Sequence, residues 1–350
     1  MCDLLRTRQR PTKSTICIKG HILQMKLTDW EIFLQSEQLP FEKNVDLKKK
    51  TWIHRGGRAS YFVIPDTIEH FIQLITRLYK EKQAFKIIGH TSNLYIRNTT
   101  DIDIVISTTH LNHFKEENNH YICECGVAIA ELSRNAIKQG HSGYEGFINL
   151  PGTVASAAVN NAGCFGCRIS DILLNAEVLC PDGKIRNYTK EQFVYSERSS
   201  AFKKGETQGV ILQVTLDCFK HESIEILQER AEANTQYRKT RQEGPKQNLG
   251  STYPIYVMEA FYKNLPLHTR LCLIASTILF RIIRKQRPQS VVNTIILLCS
   301  GNYFKLHRYI SKHNFGCFVW KDEKADDAFT IYRSFIAKTS GLLDLEIEVI

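Results

Sequence analysis

The chain has 350 residues, which excludes a single small domain and predicts two or three domains. Its 43% hydrophobic and 23% charged residues are those of an ordinary soluble globular protein. The net charge of +10 favours an anionic partner, but it does not distinguish a nucleic acid, a membrane surface and a nucleotide-linked substrate from one another.

The eleven cysteines are odd in number and show no framework spacing, which indicates reduced thiols and a cytoplasmic protein. Cys123-x-Cys125 and Cys164-x-x-Cys167 could be imagined as zinc ligands. The first pair falls in a predicted strand and the second in glycine-rich loops, and no ligand spacing joins them, so we expect no metal. The N-terminus lacks a secretory signal pattern, and we expect no export.

Residues 1–50 are basic and irregular in pattern, and we interpret them as an N-terminal extension without chemistry. Residues 59–64 then predict a strand. Asp66 and Glu69 form a capping pair ahead of a helix. The spacing of the apolar side chains in that helix predicts its buried face, which is Phe71, Leu74, Ile75 and Leu78. Residues 85–88 predict the next strand, and a strand–helix–strand unit of this size suggests a parallel pair.

The strand at 85–88 runs directly into a loop of small polar residues, which are Gly89, His90, Thr91, Ser92 and Asn93. A loop of this kind can cup phosphate oxygens with backbone N–H and hydroxyl donors. Further strands are predicted at 102–107 and 120–125. A helix from about 128 to 138 then ends before Gly140, at a position where glycine commonly terminates a helix.

Residues 140–171 contain six glycines separated by small residues. Glycine lets the backbone approach a flat or charged group closely, and it adopts positive φ without strain. After Leu150-Pro151-Gly152, Thr153 is expected to cap a short helix over 154–159 whose free N–H groups would face an anion. A tightly packed loop system without a ligand is the alternative, and the glycine content alone does not decide between the two.

The second half of the chain predicts a hairpin from strands at 174–179 and 184–188, and a half-buried strand at 209–218. A charged helix at 222–241 leads into a last domain with helices near 268–285 and 324–338 and strands near 293–299 and 344–350. The longest apolar run, 271–280, is too short to span a bilayer and is followed by basic residues up to Arg287. We interpret it as a core helix, and an interfacial helix over 271–287 that associates with a membrane surface is the alternative.

The order of the glycine motifs resembles the flavin-binding core of the UDP-N-acetylenolpyruvoylglucosamine reductases, also called UDP-N-acetylmuramate dehydrogenases. The matching residues are Gly143-x-x-Gly146-x-x-x-x-Pro151-Gly152-Thr153-Val154 and Asn161-Ala162-Gly163-x-x-Gly166. The 89–93 loop is similar to the family's Gly-Gly-Gly-Ser-Asn loop, which holds the flavin pyrophosphate, with His90 and Thr91 in place of two glycines. The resemblance extends from about residue 50 to the C-terminus, with a weak patch near 254–315.

The resemblance implies that FAD is bound by both glycine systems. The implied cofactor-binding residues are Gly89, His90, Thr91, Ser92, Asn93, Gly143, Pro151, Gly152, Thr153, Asn161, Gly163 and Gly166.

Three further motifs of the family correspond to residues that are far apart in this sequence. Arg198-x-Ser200-x-Phe202-Lys203 resembles the Tyr-Arg-x-Ser-x-Phe-Lys motif, whose arginine helps hold the enolic intermediate, although Glu197 replaces the tyrosine. Gly250-Ser251-Thr252-Tyr253 resembles the Gly-Ser-x-Phe segment, whose serine is the proton donor, although the family's following Asn-Pro is absent. Leu345-Glu346-Ile347-Glu348-Val349 resembles the C-terminal strand with the catalytic glutamate at Glu348, and Glu346 is expected to point to the same face.

These motifs imply an α+β fold with two FAD-binding lobes (PCMH type), at 51–108 and 109–221, and a substrate-binding domain at 222–350. NADPH would reduce FAD, which would then reduce UDP-N-acetylglucosamine enolpyruvate to UDP-N-acetylmuramate for peptidoglycan. One alternative is an FAD oxidoreductase of the same fold that acts on another sugar or nucleotide-sugar in surface polysaccharide synthesis. A second alternative is a binding protein that has kept the fold and lost the activity. We expect no nucleic-acid partner, since no recognised module is present.

Overall fold

The computed structural model describes residues 27–244, 247–283 and 285–350. The described residues form two compact units. The first unit contains 27–45, 59–89 and 102–231, and the second contains 46–58, 90–101 and 232–350, apart from the gaps just given.

The strands of the described residues are β1 (Phe41–Asp46), β2 (Arg58–Val63), β3 (Lys86–Ile88), β4 (Leu94–Tyr95), β5 (Asp101–Ser107), β6 (Phe114–Glu117), β7 (His120–Glu124), β8 (Gly163–Cys164), β9 (Cys167–Arg168), β10 (Leu173–Leu179), β11 (Ile185–Thr189), β12 (Val210–Asp217) and β13 (Glu348–Val349). The helices are α1 (Leu27–Ser36), α2 (Ile68–Lys80), α3 (Ile129–Lys138), α4 (Val154–Asn160), α5 (Ile169–Ile172), α6 (Ala201–Lys204), α7 (Ile224–Arg241), α8 (Ile255–Lys263), α9 (Leu267–Ile282), α10 (Gln289–Cys299), α11 (Tyr303–Leu306) and α12 (Ala325–Ser340).

The predicted extension is only partly within the described residues, because 1–26 lie outside them. Residues 27–50 are not irregular, since they form α1 and β1. Trp30 and Leu34, one helical turn apart, are buried against the core of the first unit. The sequence pattern did not indicate these two buried side chains, because charged residues of both signs surround them in the segment.

The first sheet of the first unit has the strand order β1-β2-β5-β3. The expected parallel partner of β3 is wrong in one respect, because β3 pairs in parallel with β5 and not with β2. Ile104, Val105 and Ile106 of β5 are all buried, as is usual for a central strand that is covered on both faces. This uninterrupted apolar run is the sequence feature that indicates a central strand, and β5 lies between β2 and β3.

The second sheet of the first unit has the order β11-β10-β12-β7-β6 with antiparallel pairs throughout. The predicted hairpin is confirmed as β10 and β11, and the predicted half-buried strand as β12. Tyr121, Val178 and Val214 are among the fully buried side chains of this core.

Helix α2 has the buried face that its spacing predicts, because Phe71, Leu74, Ile75 and Leu78 are fully buried. Its N-cap is different from the predicted one. Thr67 is the N-cap and its hydroxyl accepts a hydrogen bond from the His70 N–H, while the carboxylate of Asp66 contacts the His70 ring.

The second unit is built on an aromatic core, in which Phe318 lies against Trp320 and Phe329 with ring centroids 4.9 and 5.1 Å away. The strand predicted near 293–299 is wrong, because that segment is helix α10, with Val292 and Ile296 buried one turn apart. The strand predicted at 344–350 is only two residues long, and β13 pairs in parallel with β4.

Helix α9 does not support the core-helix interpretation of the apolar run, since Thr269 is the one side chain of α9 that is buried. No single helix of the described residues is long and apolar enough to cross a membrane, although α8 and α9 pass that test together with a bend of 97° between them.

Candidate active site

Gly89 and Thr153, one from each glycine system, meet in the first unit, where the end of β3 approaches the start of α4. A Cβ atom on Gly89 would lie 2.8 Å from Thr153 Cγ2 and 3.1 Å from Thr153 Oγ1, which is too close for any larger residue without movement. Thr153 is itself buried, and its side chain and that of Ser156 form a reciprocal capping box at the start of α4. The sequence motifs at 89 and 153 are therefore neighbours in space.

The expectation that α4 presents free N–H groups to an anion is wrong. The N–H of Val154 donates to Val127 O at 2.8 Å, and that of Ala155 donates to Cys125 O at 3.3 Å. The N–H of Ser156 donates to Thr153 Oγ1. The strand-end residues before α3 thus use the donors at the start of α4, and any anion near Thr153 must be bound by other groups.

Arg198 lies at the tip of a tight turn that is fastened to the end of α4. Ser196 and Ser199 pair through two backbone hydrogen bonds of 3.0 and 3.2 Å, and Arg198 between them has a φ of 52°. The Asn161 side-chain amide donates to Ser196 O at 2.9 Å, and Ser200 Oγ donates to Val159 O at 2.6 Å. These bonds place the Arg198 motif beside the Asn161 motif.

Two buried polar atoms in this part of the first unit have no hydrogen-bond partner, and these are Asn161 Oδ1 and the Tyr195 hydroxyl. Burial raises the pKa of Tyr195 well above its usual range. Its hydroxyl is protonated at neutral pH, as it would be without the shift. A buried polar atom without a partner costs about 1–3 kcal/mol. One unfilled acceptor and one unfilled donor in buried positions are unusual, and a polar ligand could satisfy them.

Gly163 and Gly166 belong to the two-stranded hairpin β8–β9, whose tip is Phe165–Gly166. Both tip residues have positive φ, 50° and 82°, as a tight two-residue hairpin turn requires. Gly143 and Gly166 line a cavity of about 500 Å³. The remaining candidate residues do not line this cavity, whose other walls are Ser142, Glu145, Phe165, Cys167, Asp171, Ile172, Asp217, Lys220 and Arg230.

Thr91, in the second unit, stands where the resembled loop has a glycine, and it has the left-handed φ of 55° that glycine adopts without strain. Its buried hydroxyl accepts a hydrogen bond of 2.8 Å from the Trp52 N–H. This bond offsets part of the strain that a β-branched residue suffers in that conformation. His90, Ser92 and Asn93 around it are half-buried.

Glu348 is brought to the end of the same loop. Its N–H donates to Asn93 O at 2.9 Å, and β13 continues alongside β4 with Glu348 opposite Leu94. The Asn93 side-chain amide donates to Glu346 O at 3.3 Å. The shared face of Glu346 and Glu348 depended on a regular strand through both, and β13 does not include residue 346.

Ser251 is exposed, and it lies next to a residue that is held from three sides. The buried Thr252 donates its N–H to Gly316 O, accepts from Phe318 N at its hydroxyl, and accepts from Glu346 N at its carbonyl. The Asn314 side-chain amide donates to Ser251 Oγ at 3.5 Å. Ser251 and Glu348 are thus linked through the 346–348 segment, and Asn314 is a neighbour that the sequence motifs did not indicate.

The cysteine pairs considered as zinc ligands do not join in the described residues. Cys123 packs in the core of the second sheet and Cys125 in that of the first, and both are buried. Among the described residues, one group of side chains has ligand atoms close enough together to hold a metal ion, and it consists of Glu116, His141 and Cys218. The Tyr121 hydroxyl, 2.7 Å from His141 Nδ1, already fixes the orientation of that ring.

Known proteins resemble this chain in sequence and in fold. Residues 59–189 match the family described as FAD binding domain. The UDP-N-acetylenolpyruvoylglucosamine reductase of Caldicellulosiruptor saccharolyticus is 31% identical over 222 residues, which are 63% of this chain and 71% of the relative. The protein of the same name from Exiguobacterium sibiricum is 30% identical over 210 residues, 60% of this chain and 68% of the relative.

A crystal structure of the UDP-N-acetylenolpyruvylglucosamine reductase of Thermus caldophilus resembles the fold with a TM-score of 0.62 at 19% identity. The match covers 89% of this chain and 99% of that one. The predicted α+β class with a two-lobed FAD-binding domain is confirmed.

The Thr91 hydroxyl provides a test of the loop. Thr91→Val removes the acceptor of the Trp52 N–H and keeps the side-chain shape, so it should lower the free energy of unfolding by about 1–3 kcal/mol. Thr91→Ser keeps the acceptor and should cost less than Thr91→Val. Denaturant unfolding measures both, with the exposed Thr99→Val as the control. Equal stability of the Val and Ser variants would show that the bond does not support the loop.

Proposed function

The chain belongs to the UDP-N-acetylenolpyruvoylglucosamine reductase family, and we propose that Arg198, Ser251 and Glu348 carry its chemistry. It is an FAD-dependent oxidoreductase that reduces UDP-N-acetylglucosamine enolpyruvate to UDP-N-acetylmuramate for peptidoglycan synthesis. The strongest structural support is the contact of Gly89 with Thr153, which joins the two glycine systems within the region that matches an FAD-binding domain. The relatives favour this reaction over that of another nucleotide-sugar oxidoreductase, and NADPH as the reductant is part of the proposal.

FAD would be held by residues from both glycine systems. Asn161 Oδ1 and the Tyr195 hydroxyl, buried and without partners, fit the polar groups of such a molecule. We assign the 89–93 loop to the pyrophosphate, because its backbone N–H groups and the hydroxyls at 91 and 92 suit phosphate oxygens. When bound, FAD supplies the hydride-transfer chemistry that amino-acid side chains do not have.

Ser251 would donate the proton to the carbon beside the one that receives hydride. A serine hydroxyl is a weak acid, so it acts only if neighbours stabilise the oxygen after the proton leaves. The Asn314 side-chain amide already points an N–H at Ser251 Oγ, at 3.5 Å. A bond of this length can shorten when substrate is present.

Arg198 and Glu348 would stabilise the enolic intermediate. The guanidinium can pair a carboxylate or enolate oxygen through two parallel N–H bonds. The tight turn at 196–199 limits the freedom of the Arg198 backbone, which reduces the conformational freedom that substrate binding must remove. Glu348 is fixed through its backbone to Asn93.

In this proposal the lobes at 51–108 and 109–221 hold the flavin, and the domain at 222–350 binds the nucleotide-sugar. The compact units differ from this division, because 46–58 and 90–101 belong to the unit that contains 232–350. The reaction is assigned to the cytoplasm. The buried thiols of Cys123, Cys125, Cys180 and Cys218, which form no disulfides, are consistent with a reducing compartment.

The proposal is tested with the purified full chain. It should be yellow, release non-covalent FAD on denaturation, and lose its colour with NADPH in the absence of oxygen. UDP-N-acetylglucosamine enolpyruvate should then restore the colour. A colourless protein that does not bind added FAD would rule out the oxidoreductase. Recovery of the colour with a different sugar substrate alone would overturn the peptidoglycan assignment.

Ser251→Ala should separate the two half-reactions. Reduction of FAD by NADPH should be nearly unchanged, because no proton from Ser251 is needed for it, while reoxidation by substrate should slow by about 10²–10⁴-fold. Stopped-flow absorbance measures both rates. Ser290→Ala, an exposed serine on α10, is the matched control. Full turnover by Ser251→Ala would place the acid elsewhere.

Arg198→Lys keeps the charge and removes the two-toothed contact. We expect kcat/KM for the enolpyruvyl substrate to fall by about tenfold to hundredfold, as the loss of one charge-assisted hydrogen bond implies. Steady-state kinetics at constant NADPH measure the effect, with the exposed Arg134→Lys as the control. Unchanged kinetics would show that Arg198 acts as a simple positive charge or lies outside the site.

A further inference from the structure

The positive charge of the chain is concentrated in one segment. Residues 260–321 contain ten Lys and Arg residues and no Asp or Glu. The remainder of the chain then has 36 basic and 36 acidic residues, so this segment accounts for the whole net charge of +10. The segment lies entirely in the second unit and is mainly helical.

The same segment carries an exposed apolar stripe on α9. Leu267, Leu271, Ile274, Ile278 and Ile282 are spaced four, three, four and four residues apart, which puts them on one face of the helix. They are between 53% and 71% exposed. Leu279 and Ile283 extend the stripe on one side, at 56% and 49% exposed.

Such a stripe is unusual for an unpartnered protein surface. Large apolar residues that are exposed singly are ordinary, but a contiguous row marks an interaction site. At a rise of about 1.5 Å per residue, the 16 residues of α9 form a stripe roughly 24 Å long. Leu298 and Phe304, 57% and 89% exposed, add further apolar surface in the segment.

Exposed basic side chains accompany the stripe on the same helix and just after it. Arg270 and Arg281 are exposed on α9, and Lys285 is exposed three residues beyond its end. No acidic residue of the segment neutralises them. An apolar face with cations beside it is the pattern of a helix that lies flat in the headgroup region of a bilayer.

The charge decides between the two occupants of this face. A second copy of the chain would bring a second segment of the same sign against the first, and like charges across an interface cost several kcal/mol. Binding to an anionic lipid surface becomes stronger with each basic residue that reaches the surface. An uncharged partner would explain the stripe and leave the absence of acidic residues unexplained.

We propose that α9 and the basic residues around it dock the protein on an anionic membrane surface. The helix lies in the plane of the interface with Leu271, Ile274 and Ile278 among the headgroups. Arg281 and Lys285 contact lipid phosphates. The attachment is peripheral and reversible, and it does not depend on the catalytic assignment.

The test is co-sedimentation of the full chain with lipid vesicles. One set contains phosphatidylcholine alone, and the other an equal mixture of phosphatidylcholine and phosphatidylglycerol. We expect binding to the mixed vesicles, weakened by added salt, and little binding to the neutral ones. Equal binding to both sets would overturn the role of charge, and binding to neither would overturn the proposal.

Two variants on the face and two controls locate the contact. Arg281→Gln with Lys285→Gln should weaken binding by about thirtyfold, and Leu271→Gln, Ile274→Gln and Ile278→Gln together should weaken it by at least about tenfold. The matched controls are Lys184→Gln with Lys190→Gln, and Ile32→Gln, Ile185→Gln and Leu343→Gln together, all exposed elsewhere. Variants that bind as the wild type does would overturn the assignment to α9.

Light scattering on the same samples tests whether a second copy of the chain binds to the α9 face. A concentration-dependent dimer that the apolar variant abolishes, without vesicle binding, would show that a second copy covers the face. Flavin content and turnover in solution should be the same in every variant. A wild-type protein without flavin or turnover would contradict the proposed function. The result on lipid binding would still hold, because it does not depend on catalysis.

Discussion

The first unit depends on the close approach of Gly89 to Thr153. A strand end and a helix start can meet at this distance only because residue 89 has no side chain. The Thr153 side chain is held by the capping box, so the contact surface on the helix is rigid. The backbone donors of α4 are already used by Val127 and Cys125, which fasten the helix to the chain before α3. Two loops that are distant in sequence therefore become neighbours through packing of the Gly89 backbone against the Thr153 side chain.

In the second unit, strand pairing brings distant candidate residues close together. The two residues of β13 are enough to fix Glu348, because Asn93 binds the 346–348 segment through its carbonyl and its side chain. The same segment accepts Thr252 as a partner at Glu346 N, which in turn positions Ser251. A short parallel pair of this kind has little stability of its own, so its geometry rests on the aromatic core beneath it. The fully buried Phe318, whose N–H donates to the Thr252 hydroxyl, belongs to that core.

Much of the fold could be predicted from the sequence, and the predictions that failed did so for physical reasons. Periodicity identified α2 and β12, because each buries one face. It failed for α10, where an apolar run of β-branched and Leu residues fits a strand as well as a helix. The Thr67 cap, the partners of the α4 amides and the Asn314 contact depend on side chains that meet only in three dimensions. Resemblance to a family supplied the residues, and it did not supply their hydrogen bonds.

The distribution of charge changes what the net charge means. Read as a property of the whole chain, +10 suits the attraction of a nucleotide diphosphate. Since residues 260–321 account for all of it, the rest of the chain, including the turn that carries Arg198, has no net excess of positive charge. Recognition of an anionic substrate by that turn must then rest on the local geometry of single cations such as Arg198. The long-range field belongs to the segment around α9, where the exposed apolar stripe gives it a surface to act on.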